Sequence, residues 1–177
     1  GVTAISESGL SSPADLAASV RTYYALGRAG DPRNLSFLRT ALRAEREPAL
    51  RLAIAECVVL SDPDGETSRR TFLDALPPDP QVLARLWAAA DAGAPGNDVP
   101  VLASLGELAA EGNADALSRL VELAPAATLD GRLAASIAEV LTDVAALAPD
   151  ELLAALRGAS TVAQEASVAA LGAALAR

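Results

Sequence analysis

The stretch "EREPALRLAIAECVVLSDPDG", Glu45 to Gly65, decides how the rest of the chain is read. Pro48 suits the first turn of a helix, where its missing N–H has no intrahelical partner to lose. Leu50, Ile54, Cys57 and Val58 then recur at helical spacing on one face. Asp62, Pro63, Asp64 and Gly65 stop the run. Such a helix fits a catalytic segment or one unit of a repeated array, and its surroundings choose between them.

Composition favours the array. Of 177 residues 51% are apolar, yet aromatics are only 3% and alanine is the commonest residue. Alanine is the best helix former, and small side chains let helix axes approach toward the short end of the usual range of about 8–10 Å. No apolar run reaches the roughly 18 residues of a membrane span. The net charge is −9, with fourteen scattered arginines and no lysine, so the basic stripe of a nucleic-acid binder is missing. Histidine is absent, which removes the usual general base and the commonest metal ligand. One cysteine makes neither an internal disulfide nor a multi-thiolate zinc site. Methionine is absent even at position 1, so the chain is expected to be a processed or excised piece, with a longer protein around it as one reading. A cytoplasmic location is expected, or a secreted or periplasmic one if a signal peptide has been removed.

Helix punctuation recurs along the chain. "SSPAD" places Ser12 at an N-cap, Pro13 inside the first turn and Asp15 at the capping-box position, before a stripe of Leu16, Val20, Tyr23 and Tyr24. Asp31 and Pro32 restart the chain toward Leu35, Leu38 and Leu42. Asp79 and Pro80 do so toward Val82 and Leu86, and Asn113 toward Leu117, Leu120 and Val121. Thr128 is expected to cap a helix with Leu133, Ile137, Leu141 and Val144. Pro149 opens another, and Thr161 with Gln164 is expected to cap a last helix whose stripe is Val168, Leu171 and Leu175. About ten helices result, with no convincing strand signal.

The helices pair, and four pairs follow one plan: a Leu-rich helix, a tight turn, an Ala-rich helix. Two of the steps between pairs are about 33 residues, and the middle one is longer by roughly a helix. "REPALRLAIAECVVL" resembles the second helix of a bacterial HEAT-like repeat, through Pro48, Leu50, Arg51, Ile54 and Val58. Val82 and Leu86 follow that pattern after Pro80, and Arg132 matches Arg51, while the first and last pairs lack the Arg. The tetratricopeptide positions are not met. The resemblance covers residues 12–177 and implies an all-α fold: an α-solenoid of about five stacked hairpins, a HEAT-like superhelix, with one irregular joint near residues 93–112. Residues 1–11 are read as an N-terminal tail and 12–177 as a single domain.

Against that frame, Cys57 is expected in the core, near a helix C-terminus that opposes thiolate formation. "SDPDGE" has calcium-loop flavour but lacks the bidentate Glu at the twelfth position, and is read as an interhelical turn. Arg51 and Arg132 are expected to act as a ladder between repeats, or as an Arg row facing a partner. Tyr24 and Trp87 are the other partner-contact candidates, with core packing as the competing role for Trp87. Glu107 and Glu111 are i, i+4 neighbours on a solvated face, and Asp91 with Asp98 has no catalytic spacing. No residue is assigned to catalysis, a cofactor or a metal. The functional expectation is a non-catalytic module that binds a protein or peptide partner on a helical-repeat surface. Its alternative is a structural spacer or oligomerisation segment, including a homo-oligomer, for which "ASVAALGAAL" is the candidate seam. A HEAT-like enzyme such as a lyase is the third reading.

Overall fold

The computed structural model describes residues 12–93 and 101–176, and among them it is entirely helical. Ten α-helices follow one another: α1 (Pro13–Arg28), α2 (Leu35–Ala44), α3 (Pro48–Ser61), α4 (Glu66–Ala75), α5 (Pro80–Gly93), α6 (Leu102–Ala110), α7 (Ala114–Leu123), α8 (Gly131–Leu147), α9 (Pro149–Gly158) and α10 (Thr161–Leu175). Short 3-10 turns at Pro32–Asn34 and Ala124–Thr128 precede α2 and follow α7. The expected tail at 1–11, Asp98 and the centre of the irregular joint lie outside the described residues.

The starts are built as their sequences suggest. Ser12 accepts the Asp15 N–H, and its hydroxyl returns a hydrogen bond to the Asp15 carboxylate. Asn113 accepts the Ala116 N–H and Asp79 the Gln81 N–H. Gly112 closes α6 at φ 82°, a left-handed position that glycine occupies without a Cβ penalty.

Two caps differ from expectation. Helix α8 starts after Asp130, whose carboxylate accepts from the N–H groups of both Arg132 and Leu133, while the Thr128 hydroxyl turns back to the Pro125 carbonyl. One oxygen, Oδ1, takes both orphan donors at the positive end of the helix dipole, where a carboxylate prevails over a hydroxyl. Likewise α10 is capped by Ser160 rather than Thr161: Ser160 Oγ accepts the Ala163 N–H, and Gln164 reaches the Ala159 carbonyl.

Helix α3 sits at the centre of the N-terminal half. It lies against α1, α2, α4 and α5, with a lighter contact to α6, and nearly all of its residues are buried. Helix α1 also packs on α5, which reaches the turn at Ala124–Thr128. In the C-terminal half the contacts form two successions: α7 with α9, and α6 with α8 with α10, joined by the α6–α7 hairpin. The layers of this half follow chain order, whereas α3 is surrounded.

The last helix buries only part of the stripe its aliphatic spacing suggests: Leu171 packs half-buried against the core, whereas Val168 and Leu175 face outward. Ala163, Ser167 and Ala170 are buried, and Val162, Val168 and Leu175 are 65%, 61% and 82% exposed. The small residues fall on the side that meets α8, the Ala124–Thr128 turn and α7, so α10 approaches closely and its bulkier side chains are left outside.

Close approach also sets the α1–α3 contact. A Cβ built on Gly27 would lie 2.8 Å from Cys57 Sγ, 2.9 Å from its Cβ and 3.1 Å from its Cα. Gly27→Ala is therefore expected to destabilise the fold by about 1–3 kcal/mol through overpacking. Adding Cys57→Ala should recover only part of this, because the Cβ and backbone of residue 57 remain in the way. Urea unfolding followed by circular dichroism reads both changes, and an unchanged midpoint for Gly27→Ala would show that the two helices are not locked together here.

Candidate functional site

Midway along α3 stands Glu56, the only charged residue between Arg51 and Asp62, and it is 4% exposed. A carboxylate there must find partners, because an unpaired buried charge costs several kcal/mol. Two other helices supply them. The Tyr24 hydroxyl of α1 donates to Oε2 at 2.5 Å, within the range of charge-assisted O–H···O bonds. The Val101 N–H and the Ser104 hydroxyl, both at the start of α6, donate to Oε1 at 2.9 Å each. The carboxylate thus serves as the cap that α6 lacks from its own chain, at the positive end of that helix.

Val101 is held in an unusual backbone state, φ 78° and ψ −42°, with its side chain fully buried. A β-branched residue at positive φ is strained by about 1–3 kcal/mol, and the bond to Glu56 together with side-chain burial offsets that cost.

Burial raises the Glu56 pKa above its ordinary value of 4.5, and the hydrogen bonds from Tyr24, Val101 and Ser104 oppose the shift without cancelling it. Tyr24 is pushed well above 10 by burial and by the neighbouring carboxylate, so its hydroxyl stays a donor. Cys57, next along the helix, is raised to about 12, chiefly by burial and then by Glu56. Its Sγ–H donates to the Tyr23 carbonyl at 3.2 Å, which leaves a thiol rather than a nucleophilic thiolate at neutral pH. The chemistry-bearing groups of this cluster are saturated by one another.

The partner-contact candidates singled out from the sequence occupy three different settings. Arg51 donates through Nη1 to the carbonyls of Leu42 and Glu45, at 2.8 and 2.9 Å, closing the end of α2 onto α3. Arg132 of α8 reaches back to Asp91 of α5 at 3.1 Å and lies over the Trp87 ring, 5.2 Å from its centroid. Trp87 itself is half-buried against the core. Tyr24 is buried at Glu56, with the Arg28 guanidinium 5.8 Å from its ring centroid. Of the four, Arg132 and Trp87 are brought together, and neither Arg51 nor Tyr24 joins them. Asp62 accepts from Ser68 at 2.6 Å and pairs with Arg39 at 3.8 Å, so the acidic turn is occupied by its own neighbours. No group of three potential metal ligands occurs among the described residues.

Sequence reasoning passed over Glu56, although the signal was present: one acid inside "LAIAECVVL", a run whose apolar residues surround the helix. It also passed over a surface recess of about 360 Å³ between α6 and α8. Gly106, Val140 and Leu147 form part of its lining, together with the carboxylates of Glu107, Glu139 and Asp143. A second recess, of about 420 Å³, lies between α4 and α7 and mixes Asp74, Asp115 and Glu122 with Arg119.

No family model, curated protein or solved structure matches the chain.

The Glu56 cluster makes a quantitative test. Glu56→Ala leaves the donors of Tyr24, Val101 and Ser104 unpaired and is expected to cost about 3 kcal/mol. Glu56→Gln retains an acceptor for Val101 and Ser104, and its amide can donate to the Tyr24 oxygen, so its cost is expected to be smaller. The native carboxyl holds its proton to higher pH than the unfolded chain does, so its contribution is full below the unfolded pKa and lost as pH rises through the native one. The stability of Glu56→Gln relative to the unsubstituted protein should therefore improve as pH is raised from about 4 to about 7. Denaturant midpoints measured across that interval check the sign, and a change in the opposite direction would mean that the hydrogen bonds outweigh burial.

Proposed function

We propose that this protein is a non-catalytic binding module whose stacked helices, arranged in the manner of a HEAT-like repeat, present a surface to a protein or peptide partner. One observation carries the reading. Glu56, Tyr24 and Cys57 are buried and hydrogen-bonded where α1, α3 and α6 meet, whereas the α6–α8 recess exposes three carboxylates that make no ion pair among the described residues. Unsatisfied surface charge beside apolar side chains is a feature of recognition, where a partner's potential steers encounter and fixes register. Arg132 fits the ladder role, since it reaches an acid and a ring of α5 in another helix pair, whereas Arg51 bonds to carbonyls within its own α2–α3 pair.

Selection of binders from a displayed random-peptide library on the immobilised protein tests the reading. Enriched peptides are expected to compete with one another and to weaken on Glu139→Lys with Asp143→Lys, at unchanged helicity. Failure to enrich any peptide, or an enzymatic activity lost in Glu56→Gln without loss of fold, would overturn it.

A second reading, a spacer or assembly segment, is favoured by α10 alone. Its outer face carries Val162, Val168 and Leu175, all strongly exposed, and Glu165 is its only charged residue. Sedimentation equilibrium distinguishes the two. Self-association abolished by Val168→Glu would support assembly through α10, and a monomer at high micromolar concentration would remove it.

A further inference from the structure

We propose that the α6–α8 recess is a docking groove for a basic amphipathic helix of a partner protein, with its apolar stripe on Gly106, Val140 and Leu147 and its Lys or Arg side chains between Glu107, Glu139 and Asp143. The proposal rests on the interaction-module reading and names the chemistry of what that module takes.

Three features specify the ligand. The floor is where α6 and α8 nearly touch: a Cβ on Gly106 would sit 2.8 Å from Val140 Cγ1, so glycine keeps the recess shallow and closed beneath. Leu147, two turns along α8 from Val140, is 69% exposed and extends the apolar strip toward the end of that helix. The acids stand on both walls. Glu139 and Asp143 are i, i+4 neighbours on α8, about 6 Å apart along the axis, and Glu107 projects from α6. No arginine lines the recess, and the chain as a whole carries a net charge of −9.

Charge complementarity sets the sign of the partner, and backbone accounting sets its conformation. Both walls are helices whose peptide groups are already paired, so they offer no ladder to an extended strand. A ligand laid on the apolar floor has to satisfy its own N–H and C=O groups, which a helix does. Phosphate backbones and anionic lipid surfaces carry the wrong charge for this rim.

The probe is a fluorescein-labelled peptide of about fifteen residues, with Leu and Ala on one helical face and Lys and Arg on the other, titrated with the full chain and read by anisotropy. Two further peptides accompany it: one with Glu replacing every cation, and one with two central prolines that keeps the charge and breaks the helix. The basic helical peptide is expected to bind in a salt-sensitive manner. Glu139→Gln with Asp143→Gln should weaken it about tenfold, as loss of two solvent-exposed ion pairs implies. Leu147→Ser should weaken it without altering the salt dependence. Asp74→Asn with Asp115→Asn, in the other recess, serves as the control and should change affinity less than about twofold. Equal weakening by the groove and control variants would reduce the binding to general acidity and overturn the proposal. So would equal affinity for the proline-broken peptide. If library selection enriches peptides that ignore the groove variants, the docking helix is wrong while the interaction module stands; if it enriches none, both fall.

Discussion

A carboxyl group enclosed by helices imposes more order on this protein than any single apolar contact. Burial of Glu56 is tolerable only with its oxygens satisfied, and the donors come from α1 and α6, on separate parts of the chain. Hydrophobic burial is indifferent to small slips of one helix along another. Hydrogen bonds at 2.5–2.9 Å are not, so a slip of a single turn would strip the carboxylate of a partner. Gly27 sharpens the same constraint, because the α1 backbone meets Cys57 where any side chain would collide. The positions of α1, α3 and α6 are in this sense one decision, and the strained Val101 is its local cost.

Around that centre the rest of the array is joined by weaker, solvent-facing ties. Arg85 pairs with Glu47 at 3.1 Å, Arg69 with Glu111 at 3.2 Å, and Glu122 accepts the Ser160 N–H at 3.0 Å. Exposed pairs of this kind contribute at most about 1 kcal/mol each. They select between neighbouring arrangements of helices that alanine-rich faces would otherwise let slide. The N-terminal half is organised about a surrounded helix, and the C-terminal half by contacts of alternate helices, α7 with α9 and α6 with α8 with α10.

The sequence showed helix number, most boundaries and the burial of Cys57, because proline, Asx and Ser caps act locally and the aliphatic stripes of α1, α2 and α7 have one solution. Where the outcome depended on the choice between two faces, local signals were insufficient. In α10 the stripe of Val168, Leu171 and Leu175 was expected inward, yet only Leu171 packs on the core, half-buried, and Ala163, Ser167 and Ala170 take the closest contacts, since tight approach to α8 rewards small side chains. In α3 the stripe through Leu50 and Ile54 was real but incomplete. A helix with buried residues on all sides has no polar face to reveal it, and the lone Glu56 was the trace of that enclosure. The partners of Glu56 are 32, 45 and 48 residues away, beyond the reach of any periodicity.

The same enclosure bears on function. A reaction centre needs polar groups held out of equilibrium with their surroundings: a base without its proton partner, or a thiol beside a cation. Here Glu56, Tyr24 and Cys57 each have a hydrogen-bond partner. Glu56 is capped by its donors, Tyr24 is bound to it, and the Cys57 thiol is raised to about 12 and bonded to a carbonyl. On α6 and α8, Glu107, Glu139 and Asp143 face solvent beside exposed aliphatic surface. Glu56 links the two regions, because it anchors the first turn of α6, and α6 is one wall of the recess. A buried carboxylate can thereby set the shape of the surface at which recognition is proposed.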